Sequence, residues 1–229
     1  MSFKQKKLKV AAVIFDLDGT LIDSIDIYFT IVENALKRLN LPAVSRNQIL
    51  AAAESEEFKW ELVLPQEVLN RKEEIIDEAW AVINEIAPQM FADNLELIQG
   101  AERIVENLSS SGLKIGLVTS TQRQYLETKM LPLKNAGVDT LFEAIITSDD
   151  VAKRKPAPDP LVTCAQQLDM KPGNCVYVGD TTTDIKAGKA AGMRTIGVLT
   201  GFDEYETLEK ESPDAIVENV RYLLEVIDV

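Results

Sequence analysis

The chain has 229 residues, 46% of them apolar and 27% charged, with 37 acidic side chains against 24 basic ones. That length suits one sizeable core or a core with a smaller insertion, and the negative balance argues against nucleic acid and anionic membranes as partners. The chain contains no histidine, which excludes Ser-His-Asp and Cys-His catalysis and histidine-bound zinc. Acid–base chemistry is therefore left to carboxylates, Lys, Tyr or Cys. No apolar run approaches the ~18 residues of a membrane helix. The basic-then-apolar start ends in Asp16 without a small-residue cleavage site, so it reads as a strand lead-in and the chain as cytoplasmic. Cys164 and Cys175 have neither metal spacing nor the number that a disulfide framework needs.

The first element is the β-branched run Lys9 to Phe15, a strand buried on both faces. The period then changes. Ile25, Tyr28, Val32, Leu36 and Leu39 mark an amphipathic helix, with Asp23 or Ser24 as N-cap and Leu41-Pro42 closing it. Ser45–Ala53 predicts a second short helix, Glu54-Ser55-Glu56-Glu57 starts another, and Gln66 to about Ala87 continues the helical period until Pro88 stops it. Residues 21–94 thus hold no good strand and form an all-helical insertion. From Gly100, short apolar strands alternate with helices. Strands are predicted at Ile115–Val118, Ala144–Ile146, Val176–Val178, Thr195–Leu199 and Ala215–Val217. Helices are predicted at Ala101–Ser111, Gln124–Asn135, Leu161–Leu168, Ile185–Ala191 and Val220–Ile227. This alternation implies an α/β doubly wound parallel sheet, built from residues 1–20 and 95–229, with ligands gathered at the carboxyl ends of its strands.

Chemistry concentrates at those ends. Asp16 and Asp18, one residue apart where the first strand stops, are costly anions unless something neutralises them, and a divalent cation does so most simply; Asp18-Gly19 alone could equally be a turn. Thr119-Ser120 follows the strand ending in Val118, Lys155 sits in Lys-Pro-Ala-Pro, and Asp180 follows Val176 to Gly179, with Asp184 four residues on. An anionic substrate on so acidic a protein needs a local cation, which singles out Lys155, held in direction by the adjacent proline.

The order and types of these four stretches resemble the signature motifs of the haloacid dehalogenase-like hydrolases, over nearly the whole chain. Asp18-Gly19-Thr20-Leu21-Ile22-Asp23-Ser24 looks like the phosphoglycolate phosphatase-like branch. The resemblance implies a phosphatase in which Asp16 is the nucleophile and forms an aspartyl-phosphate, and Asp18 protonates the leaving oxygen and then deprotonates water. Thr119, Ser120 and Lys155 hold the phosphate. Mg²⁺ sits on Asp16, Asp180 and the Asp18 carbonyl, a hard oxygen site. Thr20 braces the turn, and Asp184 either holds Lys155 or places charge at a helix start. Residues 21–94 are expected to be a cap that closes over the site and chooses the leaving group. Many relatives carry a glycine with a nearby arginine or serine in the cap loop where this chain has Leu50-Ala51-Ala52-Ala53-Glu54-Ser55. An acidic, alanine-rich segment is poorly suited to a second anionic group, so a neutral phosphorylated sugar or alcohol fits as well as phosphoglycolate. A phosphosugar mutase or pyrophosphatase on the same scaffold, and a receiver-like phospho-accepting module, are the alternatives. The oligomeric state is not readable.

Overall fold

The computed structural model describes residues 7–53 and 58–229. In chain order the elements are β1 (Leu8–Lys9), β2 (Ala12–Phe15), β3 (Ile22–Asp23), α1 (Ile25–Arg38), α2 (Arg46–Ala53) and α3 (Lys72–Asn94). Next come β4 (Glu96–Leu97), α4 (Ala101–Ser110), β5 (Lys114–Val118), α5 (Arg123–Asn135), β6 (Phe142–Ile146) and α6 (Asp159–Gln167). The chain finishes with β7 (Cys175–Gly179), α7 (Thr182–Ala190), β8 (Arg194–Val198), α8 (Tyr205–Lys210), β9 (Ala215–Val217), α9 (Leu223–Val226) and β10 (Ile227–Asp228). These elements fall into two compact units, Met1–Asp23 with Glu96–Val229, and Ser24–Leu95.

The first unit is built on a six-stranded sheet of order β6-β5-β2-β7-β8-β9, parallel throughout. β2 is central and every one of its residues is buried, which is why Ala12–Phe15 is an unbroken apolar run rather than an alternating one. The chain winds outward from β2 first through β5 and β6, then through β7, β8 and β9. This places the switch point of the sheet at β2, where ligand crevices form in such folds. Register does the rest. Phe15 lies opposite Leu117 on β5 and Val178 on β7, so the residues just beyond these three strands emerge side by side. The helices pack against the sheet through Leu161, Cys164, Ala165 and Leu168 of α6 and its following turn, and through Ala187 of α7.

The helical unit has its own core, in which Phe29, Val32 and Leu36 of α1 meet Trp60, Ile75 and Ala79. Several expectations need correction. Pro88 does not end the helix: α3 runs through it to Asn94. A helical proline costs about 3 kcal/mol, but Ala87 and Phe91 on either side are buried, and Phe91 stacks edge-on against Tyr28 at 5.4 Å. Packing outweighs the local penalty. Gln66–Arg71, read as α-helix, is 3-10. Residues 21–94 also hold a strand pairing after all, because Ile22 and Asp23 pair antiparallel with Leu97 and Glu96. Ser24 occupies the N-cap position of α1 but its hydroxyl makes no cap bond.

At the other end, Val220–Ile227 is not one helix. A 3-10 turn and the four residues of α9 lead into β10, which pairs parallel with β1. The short helix expected over Ser45–Ala53 is α2, so Leu50–Ala53 of the segment compared with the cap loop forms its last turn, with Ala52 buried. Glu54 and Ser55 of that stretch, and the helix start expected at 54–57, lie outside the described residues. Among the described residues no helix is long and apolar enough to cross a membrane.

Candidate active site

Asp16 is the first residue past β2, and its N–H donates to the Val178 carbonyl at 2.8 Å, so the backbone is still held by the sheet as the side chain leaves it. Lys155 reaches this point from the segment before α6. Its ammonium donates to Asp16 Oδ1 at 2.6 Å, Asp184 Oδ1 at 2.6 Å and the Tyr177 hydroxyl at 2.9 Å. Those three bonds use the full donor set of a lysine, so the ammonium of Lys155 is held as a fixed positive charge.

Local structure explains Asp184. Thr181 is the N-cap of α7 and accepts from the Asp184 N–H, while Asp184 Oδ2 accepts from the Thr181 N–H and hydroxyl, a reciprocal capping box. The cap fixes the carboxylate, and its other oxygen holds Lys155. Both readings offered by the sequence, helix start and lysine partner, are thus met by one side chain.

Asp180 sits one residue past β7 and is 1% exposed. Its oxygens accept from the Thr20 hydroxyl at 3.2 Å and the Phe202 N–H at 2.9 Å. Two glycines press on it. A Cβ built on Gly19, whose φ of 73° already favours glycine, would lie 2.6 Å from Asp180 Oδ2, and one on Gly201 would lie 1.7 Å away. The Thr200 hydroxyl ties this loop to the Gly19 carbonyl at 2.7 Å.

Electrostatics follows from that crowding. One ligand oxygen each from Asp16, Asp180 and Asp184 can be chosen so that all lie within 4.8 Å of one another, and all three residues are buried. Three carboxylates against the single charge of Lys155 leave an excess of negative charge. Burial first, and then repulsion from Asp184 and Asp18 working against the attraction of Lys155, pushes Asp16 up to about 7. Burial, Asp184 and Asp16 raise Asp180 well above the usual carboxylate range. Lys155 is lifted well above its ordinary value because Asp16 and Asp184 together outweigh its own burial. Hard oxygen donors with charge to spare and raised proton affinity suit a small divalent cation.

The remaining expected residues divide. Thr119 and Ser120 line a small hollow with Ser148, Arg154 and Lys155. The Thr119 N–H is spent on the Ile146 carbonyl at 2.9 Å, since β5 pairing continues one residue further. Its hydroxyl accepts from the Thr121 N–H at 3.0 Å and keeps its own proton to donate. The Asp18 side chain turns to Lys129 on α5, which contacts its two oxygens at 2.8 and 2.9 Å. Lys129 and Tyr177 were missed by sequence reasoning. A lysine within a mostly polar helix reads as surface, and a tyrosine inside an apolar strand reads as core.

A model of the haloacid dehalogenase-like hydrolase family matches residues 13–198. The chain belongs to that family. It is 32% identical over 226 residues to the pyrophosphatase PpaX of Anoxybacillus flavithermus, covering 97% of this chain and 99% of the relative. It is 27% identical over 234 residues to the phosphoglycolate phosphatase of Escherichia coli K12, covering 94% and 91%. In fold it resembles a protein from Haemophilus somnus 129PT described as a predicted phosphoglycolate phosphatase, with a TM-score of 0.83 at 20% identity over 96% and 98% of the two chains. The curated relatives thus include both pyrophosphatases and phosphoglycolate phosphatases.

Proposed function

We infer that the chain is a Mg²⁺-dependent phosphohydrolase acting on a small phosphorylated metabolite through an aspartyl-phosphate at Asp16. The observation that carries this reading is the convergence of Asp16, Asp180 and Asp184 around Lys155 at the carboxyl end of β2.

Asp16 attacks phosphorus in line with the leaving oxygen. Lys155 holds the Asp16 carboxylate in place and offsets the charge of the transferring group, and the Thr119 hydroxyl with the Ser120 backbone supports the phosphoryl oxygens. Asp18 gives a proton to the leaving alkoxide and then takes one from the water that hydrolyses the aspartyl-phosphate. Asp16 and Asp180 would hold the cation, with Asp184 beside them, and Mg²⁺ would supply Lewis-acid polarisation and charge neutralisation. In this reading residues 24–95 are the unit that selects the leaving group.

A panel of phosphorylated metabolites assayed with Mg²⁺ and with EDTA tests the proposal. Turnover should require the metal and should vanish in Asp16→Asn; full steady-state activity in that variant would overturn it. The 32% identity to a pyrophosphatase favours one second reading, cleavage of pyrophosphate. Mass spectrometry of the products separates hydrolysis of a monoester, cleavage of pyrophosphate and transfer of phosphoryl back to a sugar.

A further inference from the structure

Lys129 is the least expected charge in the core unit. It lies within α5, its side chain is 3% exposed, and its partner Asp18 is 111 residues away in sequence. Burying an ammonium costs several kcal/mol, and an apolar pair of the same volume commonly gives a fold at least as stable. Stability alone is therefore a weak reason for this pair.

The geometry around it is closed on three sides. Lys129 donates to Asp18 Oδ1 at 2.8 Å, to Asp18 Oδ2 at 2.9 Å and to the Thr121 hydroxyl at 3.0 Å, and that hydroxyl in turn donates to Asp18 Oδ2 at 3.0 Å. A carboxylate gripped through both oxygens cannot turn about its terminal bond. The bonds are also unequal: Oδ2 receives two donors and Oδ1 one. Each carboxylate oxygen has about two acceptor sites, so Oδ1 is the atom left with a lone pair to exchange a proton. Thr121 is itself fixed by its N–H bond to the Thr119 hydroxyl, which ties Asp18 to the loop that also lines the hollow beside Lys155.

We propose that Lys129, with Thr121, is a positioning residue that holds the Asp18 carboxylate with Oδ1 directed for proton transfer. The proposal rests on the acid–base role assigned above to Asp18. It predicts a specific kinetic pattern, because only poor leaving groups need the proton. p-Nitrophenolate departs without one, whereas an alkoxide does not. kcat/KM reports steps up to the first irreversible one, here departure of the leaving group, free of any limit set by later hydrolysis of the aspartyl-phosphate.

The experiment compares kcat/KM for p-nitrophenyl phosphate and for the alkyl phosphate the wild type turns over best, in full-length Asp18→Asn, Lys129→Met, Lys129→Arg and Thr121→Val, all with Mg²⁺. Asp18→Asn should lose on the order of 100-fold or more on the alkyl ester and far less on the aryl ester. Lys129→Met should show the same skew, about tenfold to 100-fold on the alkyl ester and under about fivefold on the aryl one. Lys129→Arg should recover most of it. Thr121→Val, which removes only a hydroxyl, should show a milder skew of the same sign and carries the test if Lys129→Met does not fold. Skewed loss in Asp18→Asn with uniform loss in the Lys129 and Thr121 variants overturns the positioning role alone. Uniform loss in Asp18→Asn, or no turnover by the wild type, overturns the acid–base reading and this proposal with it.

Discussion

Replacing Gly201 by alanine probes how tightly the site is packed without touching a charged group. The new Cβ would sit 1.7 Å from Asp180 Oδ2 and 2.2 Å from its Cγ, whereas ordinary contact begins at 3.4 Å. Asp180 must withdraw by roughly 1.5 Å or the Gly201 loop must move by as much, and a 1 Å misplacement in a site costs about 100-fold in rate. The carboxylate cannot retreat freely, since Gly19 closes the space on another side and the Thr20 hydroxyl and Phe202 N–H hold its oxygens. We expect kcat/KM to fall about 100-fold to 1000-fold, Mg²⁺ to lose most of its ability to raise the melting temperature, and stability to drop by about 1–3 kcal/mol from overpacking. The control is Gly112→Ala. Gly112 has φ 85° with nothing within 4 Å of a built Cβ, so backbone strain alone costs about 1–2 kcal/mol with kcat/KM unchanged. The assays are steady-state hydrolysis and thermal denaturation with and without Mg²⁺. A Gly201→Ala enzyme with wild-type kcat/KM and undiminished Mg²⁺ stabilisation would refute the argument that Asp180 is wedged where it must act.

Lys155→Met should leave Asp16 and Asp184 buried without their shared cation, lose activity and cost about 3–5 kcal/mol in EDTA, part of it recovered by Mg²⁺; urea titrations in the two buffers measure this. In EDTA, Asp16 keeps its proton up to about 7 in the folded chain but ionises from 3.8 when unfolded. Its contribution to stability is therefore present at low pH and is lost as pH rises through about 7. The melting temperature should fall between pH 5 and 7.5 more steeply in the wild type than in Asp16→Asn, and equal slopes would contradict this. Burial pushes the Cys164 thiol up to about 12 and Cys175 to about 11, so neither should react with iodoacetamide at pH 8 until guanidinium unfolds the chain; mass spectrometry counts the labels. In the helical unit, Phe91→Ala should cost about 3–5 kcal/mol in thermal or chemical melts, because its ring is buried against Tyr28.

What could be read beforehand was whatever ends a strand. Asp16, Thr119 and Asp180 follow runs of buried apolar residues that mark their own boundaries, and a parallel sheet brings such ends together. Asp184 was legible in two ways, its helix start from a local pattern and its bond to Lys155 only through the family resemblance. Lys129 and Tyr177 stayed hidden because their polar partners, Asp18 and Lys155, are distant in sequence. No periodicity separates a buried paired lysine from a solvated one. The extension of α3 through Pro88 and the pairing of β10 with β1 failed for a related reason, as each is decided by tertiary contacts rather than by propensity.

The ammonium of Lys155 joins positions 139 residues apart on one side and 29 on the other. No fragment of the chain that ends before β7 contains all three of its partners. Contacts of such span are won late, after much loop entropy has been spent, so hydrolysis should be among the last properties regained on refolding, trailing helix content. Turnover in a renaturing sample would then serve as a stringent gauge of correct topology, reading out chains whose distant thirds have met rather than chains that have merely collapsed.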